Sequence, residues 1–116
     1  MTNLIIFNRQ IATLESDIRD YSRTLRNDSL ASIKKLTFDM RTILDSYYEG
    51  GISVGITNGE MKVISNRLKR CQHEMKDIEY NPNEDDGKEF YYASNWFDQL
   101  IVEITNWSEA GRFQRE

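Results

Sequence analysis

The chain contains one cysteine and one histidine, Cys71 and His73, the residue types that often supply a nucleophile and a general base in enzymes. Cys71 lies between Leu68 and Met75 in a series of apolar residues three and four positions apart, the spacing of a buried helix face. A thiol in that position behaves as a small hydrophobe, and burial raises its pKa away from the reactive thiolate. His73 falls about opposite the buried face, where no neighbour is placed to orient it as a base. No catalytic residue is therefore predicted, and the chain is not expected to be an enzyme.

Metal ions and phosphate groups also lack a suitable set of ligands. One cysteine and one histidine cannot form the usual zinc ligand sets within one chain. The acidic loop at residues 81–87 does not match a calcium-binding EF-hand loop. The register that makes Gly87 the sixth residue puts Pro82 first and Ala93 twelfth, where calcium needs side-chain oxygen ligands. The glycines within residues 50–59 form neither of the common phosphate-binding motifs. No inward-facing carboxylate is predicted in any helix, so no metal and no cofactor is expected.

Acidic and aromatic side chains are concentrated around Gly87, in the loop and in the first turns of the helix that follows. We predict that a partner binds here through seven residues: Glu84, Asp85, Asp86, Glu89, Tyr91, Tyr92 and Trp96. Aromatic rings with polar tips are over-represented at protein interfaces, and neighbouring carboxylates attract a basic partner. The alternative is that Trp96 seals the bundle and the tyrosines lie at its edge.

The distribution of charge favours a protein partner with a basic surface. The net charge of the chain is −4. Residues 1–80 hold twelve Lys and Arg against eleven Asp and Glu, whereas residues 81–116 hold three against eight. Such a surface can occupy a nucleic-acid-binding or nuclease site by placing carboxylates where phosphates would lie. The predicted function is that of a non-enzymatic adaptor or inhibitor that binds another protein and does not bind nucleic acid directly.

Two other functions remain open. The alternative is a nucleic-acid-binding regulatory protein that uses the basic residues of the third predicted helix, residues 58–79: Lys62, Arg67, Lys69 and Arg70. The preceding helix ends roughly ten residues earlier, too far for a helix-turn-helix, and these basic residues fall on several sides of the helix. A homo-oligomeric scaffold is also open, because the first predicted helix, residues 2–26, has the spacing to form a coiled coil with its own copy.

Four elements must position these residues. Four stretches of the chain carry apolar residues alternately three and four apart, which predicts four amphipathic helices. The predicted fold is all-α, a small antiparallel four-helix bundle with helices at 2–26, 30–48, 58–79 and 88–110. Residues 52–57 alternate apolar with small or polar side chains and suit a short extended segment or a single strand of a β-ribbon. Thr57 and Glu60 have the spacing of a capping box that starts helix three.

Length and composition indicate where this bundle is found. The chain of 116 residues is predicted to be one helical domain, residues 1–116, whose last residues, 112–116, fray. Its single cysteine excludes an intramolecular disulfide and suits a reducing cytoplasm. The apolar cluster Leu4–Phe7 is followed at once by Asn8 and Arg9, so it is too short for a secretory signal or a membrane span. A cytoplasmic protein with no membrane partner is expected.

Overall fold

The computed structural model describes residues 3–50, 55–81, 83–111 and 113, except for the side chains of residues 47–50 and 86. These residues form four helices: α1 (Asn3–Thr24), α2 (Asn27–Gly50), α3 (Asn58–Lys76) and α4 (Asp85–Glu109). No strand occurs in this part of the chain. The predicted all-α four-helix bundle is confirmed.

The helices are arranged so that α1 and α4 lie diagonally opposite each other, and each contacts both α2 and α3. The neighbours α2 and α4 run in the same direction, since Lys34 pairs with Glu89 and Arg41 pairs with Glu103 further along both helices. Consecutive helices still alternate in direction, and α2 and α3 lie diagonally opposite each other. The parallel pair places the N-terminal half of α4 beside the N-terminal half of α2.

One hydrophobic core contains residues from all four helices. Phe7, Phe90 and Phe97 are among its largest fully buried side chains. The ring of Phe90 stacks on that of Tyr21 with centroids 5.3 Å apart, and the ring of Tyr80 lies 4.9 Å from it. Burial of a large apolar side chain stabilises a fold by about 1.5–3 kcal/mol. These contacts therefore fix the first turns of α4 against α1 and the α3–α4 connection.

The start of α3 has the predicted capping box. The hydroxyl of Thr57 accepts a hydrogen bond from the Glu60 backbone N–H at 3.1 Å, and the Glu60 carboxylate accepts one from the Thr57 N–H at 3.0 Å. Residues 55–57 lead into this cap without forming a strand. The remainder of the predicted extended segment, residues 52–54, lies outside the described residues.

Helix boundaries differ from the predicted ones by up to three residues, and α2 and α4 both begin three residues early. Leu25 has a φ of 53°, and this left-handed residue ends α1 so sharply that α2 starts at Asn27. Asp85 lies in the first turn of α4, where a negative charge interacts favourably with the helix dipole, so the helix begins before Gly87.

The last residues differ from the predicted frayed tail. Phe113 is buried, and its ring lies 5.8 Å from that of Trp107 between centroids. The prediction was therefore wrong at Phe113, whose large apolar ring is more stable against the bundle than in water. Residue 112 and residues 114–116 lie outside the described part of the chain.

Candidate functional site

The two residues that suggested enzyme chemistry lie where the sequence predicted them. Cys71 is buried, and burial raises the pKa of its thiol to about 12, with Glu15 and Glu74 adding to the increase. The nucleophilic thiolate is therefore suppressed at neutral pH. His73 is exposed on α3. Among the described residues, no group of three or more Cys, His, Asp and Glu side chains is placed to hold a metal ion.

The three aromatic side chains of the predicted binding surface are all exposed. Tyr91, Tyr92 and Trp96 keep 50%, 55% and 44% of their surface accessible to solvent. The rings of the two tyrosines meet edge to face, with centroids 6.0 Å apart. The core side of α4 is formed instead by residues such as Phe90 and Phe97. Trp96 is therefore too exposed to act mainly as a seal for the core.

The carboxylates of the predicted surface differ in their surroundings. Glu84 and Asp85 are exposed at the N-terminus of α4 and form no ion pair with the described residues. Glu89 pairs with Lys34 of α2, with 2.5 Å between Nζ and Oε2. Asp86 belongs to the first turn of α4, but its side chain is outside the described part of the structure. The surface is thus most negative at the N-terminus of α4, whereas the charge of Glu89 is offset by Lys34.

Spacing along α4 divides the predicted residues between two faces. Glu89, Tyr92 and Trp96 lie three and four positions apart and share one line along the helix. This line faces α2, because the Nζ of Lys34 on α2 pairs with Glu89 and lies 5.9 Å from the centroid of the Trp96 ring. Tyr91 lies about 100° around the helix from Tyr92 and points away from α2. We call the surface between the two helices the α2–α4 seam.

A groove lies in the α2–α4 seam, and sequence reasoning missed the residues of α2 that form it. Phe38 is 58% exposed and borders the groove together with Trp96. The groove has a volume of about 340 Å³. Its lining is completed by Thr37, Arg41, Thr42 and Asp45. As an apolar residue beside the three-and-four series of α2, Phe38 is expected from the sequence to widen the buried face of this helix, and its exposure corrects that prediction.

Charged side chains meet at one end of the groove, where Arg41 and Asp45 of α2 approach Glu103 of α4. The Nε of Arg41 lies 3.1 Å from Oε2 of Glu103. That oxygen is buried and accepts no well-aligned hydrogen bond from the described residues. Burial, followed by a hydrogen bond to Asp45 and the charge of Asp45, raises the pKa of Glu103 to about 7, and Arg41 opposes the increase. At neutral pH the carboxyl of Glu103 is therefore partly protonated.

Glu103 is also a residue that sequence reasoning missed, because no inward-facing carboxylate was predicted. Its side chain is 20% exposed, so it lies mostly within the interface between α2 and α4. The apolar spacing of a helix locates its buried face but does not identify the helix that covers the edge of that face. The position of Glu103 beside Asp45 could therefore not be derived from the pattern of either helix alone.

The basic residues of α3 are more ordered than the sequence indicated. Arg67 pairs with Glu15 and donates a hydrogen bond to Asn8, so it belongs to the interface between α1 and α3. The exposed residues on the outward side of α3 form one line: Lys62, Lys69, His73 and Lys76. Of the residues proposed for nucleic-acid binding, Arg67 therefore belongs to the α1–α3 interface, Lys62 and Lys69 lie on this exposed line, and Arg70 is exposed to one side of it.

Comparisons of the chain with protein-family models, curated proteins and solved structures found no match. No helix of the described residues has the length and apolar character needed to cross a bilayer. The function must therefore be inferred from the chemistry of the bundle's own surfaces. The first turns of α4 and the adjoining α2–α4 seam are the most distinctive of these.

Proposed function

We propose that the chain is a non-enzymatic adaptor or inhibitor that binds another protein through the N-terminal half of α4. The observation that supports this most directly is the exposure of Tyr91, Tyr92 and Trp96 on a helix held in the core by Phe90 and Phe97. Exposed rings on a fixed helix need little further ordering before they bind, which lowers the entropic cost of association. Tyrosine and tryptophan are also among the side chains that most often dominate the binding energy of protein interfaces.

The proposed partner is a protein with a basic site. Glu84 and Asp85 are exposed next to the aromatic rings. Carboxylates at the edge of an interface mainly raise the rate of association with a basic surface. They repel phosphate groups, which favours a protein partner over direct binding of nucleic acid. A nucleic-acid-binding or nuclease site would fit such carboxylates, and the buried thiol of Cys71 suits a cytoplasmic location.

Affinity capture with the intact chain tests this proposal. A variant in which Tyr91, Tyr92 and Trp96 are replaced by alanine should lose its specific partner. The matched control is Val63→Ala, which removes part of a side chain that is 61% exposed on α3 and should leave capture unchanged. Circular dichroism must first show that both variants fold. Equal capture of the same partner by all three proteins would place the binding site elsewhere.

The contribution of charge is tested separately once the partner is purified. Replacement of Asp85 and Asp86 by lysine should slow association several-fold and flatten its dependence on salt, with a smaller effect on dissociation. An unchanged association rate would show that the partner does not approach through the acidic end of α4.

Nucleic-acid binding through α3 is the second candidate. The exposed line of Lys62, Lys69 and Lys76 spans four helical turns, about 21 Å, a length that can follow a phosphate backbone. Replacement of these lysines by glutamate should then abolish a salt-sensitive affinity for a DNA or RNA oligonucleotide, measured by fluorescence anisotropy. Arg67 should be left unchanged in this test, because its loss would break the pair with Glu15. No measurable affinity at physiological salt is the result expected for the adaptor or inhibitor.

Self-association through α1 would need the apolar face of that helix. This face is buried within the bundle: Phe7, Ile11, Leu14, Ile18 and Tyr21. A homo-oligomer through another surface stays a prediction, and analytical ultracentrifugation over a range of protein concentrations would test it.

A further inference from the structure

We propose that the α2–α4 seam is the part of this surface that the partner occupies, and that its occupant is an amphipathic helix of the partner. This helix would place an apolar side chain between Phe38 and Trp96 and a lysine or arginine against Asp45 and Glu103. The inference rests on the proposed function, since it assumes that the chain binds a protein through α4, and it adds the chemistry of the segment that is bound.

The shape of the seam favours a helix over a small molecule. Small-molecule sites enclose most of the surface of their ligand. Here the groove is open to solvent, and Phe38 and Trp96 stand at its border with 58% and 44% of their surface exposed. An open groove between two helices resembles the geometry in which an amphipathic helix inserts side chains spaced three, four and seven residues apart.

The charges of the seam indicate what the other part of the occupant must be. Asp45 and Glu103 provide two carboxylates, and the cation that lies beside Glu103 is Arg41. An ammonium or guanidinium group from a partner would bring a second positive charge to these two carboxylates, in addition to that of Arg41. The same carboxylates would repel the phosphates of a nucleic acid.

The distance between the two subsites sets the spacing on the bound helix. Phe38 precedes Asp45 by two turns of α2, and Trp96 precedes Glu103 by two turns of α4. Because these helices are parallel, the aromatic pair and the carboxylate pair are separated by about 10 Å along both. A lysine or arginine side chain reaches about one turn from its own backbone. The apolar and the basic residue of the occupant should therefore lie four to seven residues apart.

A bound cation should also favour loss of the proton from Glu103. The charged groups that act on Glu103 are Arg41 and Asp45, both on α2, and no charged side chain of α3 contributes among the described residues. A second cation would lower the pKa of Glu103 from its raised value of about 7. Binding at pH 6.5 should therefore release protons, and affinity should rise as the pH increases from 6 to 8. A purely apolar contact would show neither effect.

Selection from a library of single displayed helices tests the inference. The library, randomised along one face, is sorted for binding to the intact chain and against the Phe38→Ser, Trp96→Ser double variant. Both changes are at exposed positions, and circular dichroism checks that the variant folds. The selected helices are expected to pair an apolar residue with a lysine or arginine four to seven residues away. Selected helices without such a basic residue, or no helix that distinguishes the two proteins, would overturn the proposal.

The carboxylates are tested with the selected helices as probes. Binding to the Asp45→Asn, Glu103→Gln variant should weaken roughly tenfold or more, because the basic residue loses its partners. The control Asp28→Asn, Glu109→Gln removes one exposed carboxylate from each of the same two helices at positions that do not line the groove, and it should change affinity little. Calorimetry at pH 6.5 in two buffers of different ionisation enthalpy should detect proton release for the parent chain. Equal affinity for both double variants, or no proton release, would contradict the assignment.

The natural partner separates failure of this inference from failure of the proposed function. If the captured partner depends on Tyr91 and Tyr92 but not on Phe38 or Glu103, the proposed function stands and the seam is not its binding site. If it depends on none of them, both are wrong. A concentration-dependent dimer that the Phe38→Ser, Trp96→Ser variant abolishes would assign the seam to a second copy of this chain and overturn a separate partner.

Discussion

Replacement of Glu103 by glutamine should make the bundle less sensitive to pH and more stable above neutrality. In the folded chain, burial and Asp45 raise the pKa of Glu103 from 4.5 to about 7. The protonated form is thus favoured in the folded state, so the unfolded state releases its proton at a lower pH. By linkage, the free energy of unfolding falls as the pH rises from about 4.5 to about 7. Glutamine resembles the protonated carboxyl and removes this dependence.

The size of the effect follows from the same pKa values. Each tenfold change in proton affinity is worth about 1.4 kcal/mol, which sets an upper limit of about 3 kcal/mol. The side chain is 20% exposed, and water that reaches it screens the interaction with Asp45. A stability difference of about 1 kcal/mol between Glu103→Gln and the parent at pH 8 is therefore expected, vanishing below pH 4.5.

Urea unfolding followed by circular dichroism at several pH values between 4.5 and 8 measures this difference. All other titrating groups are present in both proteins, so their contributions largely cancel when the two curves are subtracted. Glu109→Gln, at an exposed position at the end of α4, is the matched control and should follow the parent curve. Parallel curves for the parent and Glu103→Gln would refute the raised pKa of Glu103.

Three further predictions concern the core and the exposed aromatic surface. Cys71 should react with a thiol reagent slowly in the native protein and rapidly in denaturant; fast native labelling would show that the face of α3 is misplaced. Phe90→Ala should lower the free energy of unfolding by about 3–5 kcal/mol, whereas Phe38→Ala should change it by less than about 0.5 kcal/mol. Equal losses in urea unfolding would contradict the assigned burial. Tyr92→Ala or Trp96→Ala should weaken partner binding by about 1–3 kcal/mol in calorimetry without loss of fold, and unchanged affinity would exclude the site.

The helices could be predicted from the sequence because each has a continuous apolar face. In α3, for example, Met61, Ile64, Leu68, Cys71 and Met75 are all buried, as their spacing requires. The capping box of Thr57 and Glu60 was predictable for a similar reason, since both partners lie within one turn. The predicted positions of helix ends were less accurate where the conformation of a single residue determines the end. The left-handed conformation of Leu25 is unusual for a leucine, and no local pattern indicates it.

The candidate site could be predicted only in the part that α4 forms by itself. Exposure of Tyr91 and Tyr92 followed from their positions relative to the buried face of one helix, whereas Trp96 lies at the edge of that face and the sequence left its exposure open. Phe38 and Glu103 could not be included, because their importance depends on α2 and α4 being neighbours that run in the same direction. Helical spacing does not specify which helices are adjacent. The order of four amphipathic helices around a core is decided by the fit of their side chains and by the connections.

Glu103 in the α2–α4 seam can act in two ways, by stabilising the fold or by binding a basic partner. The Glu103→Gln variant distinguishes these two roles. A glutamate that served only the fold should, when replaced by glutamine, lower stability or leave it unchanged. Here the replacement is expected to raise stability at pH 8, because it removes a carboxylate that must otherwise lose its proton beside Asp45. The same replacement should weaken binding of a basic helix, because it removes negative charge from the α2–α4 seam beside Asp45. Opposite signs in the two measurements, obtained with one variant at one pH, would not result from a local disturbance of packing, which would reduce both. A decrease in stability together with unchanged binding would instead identify Glu103 as a structural partner of Arg41.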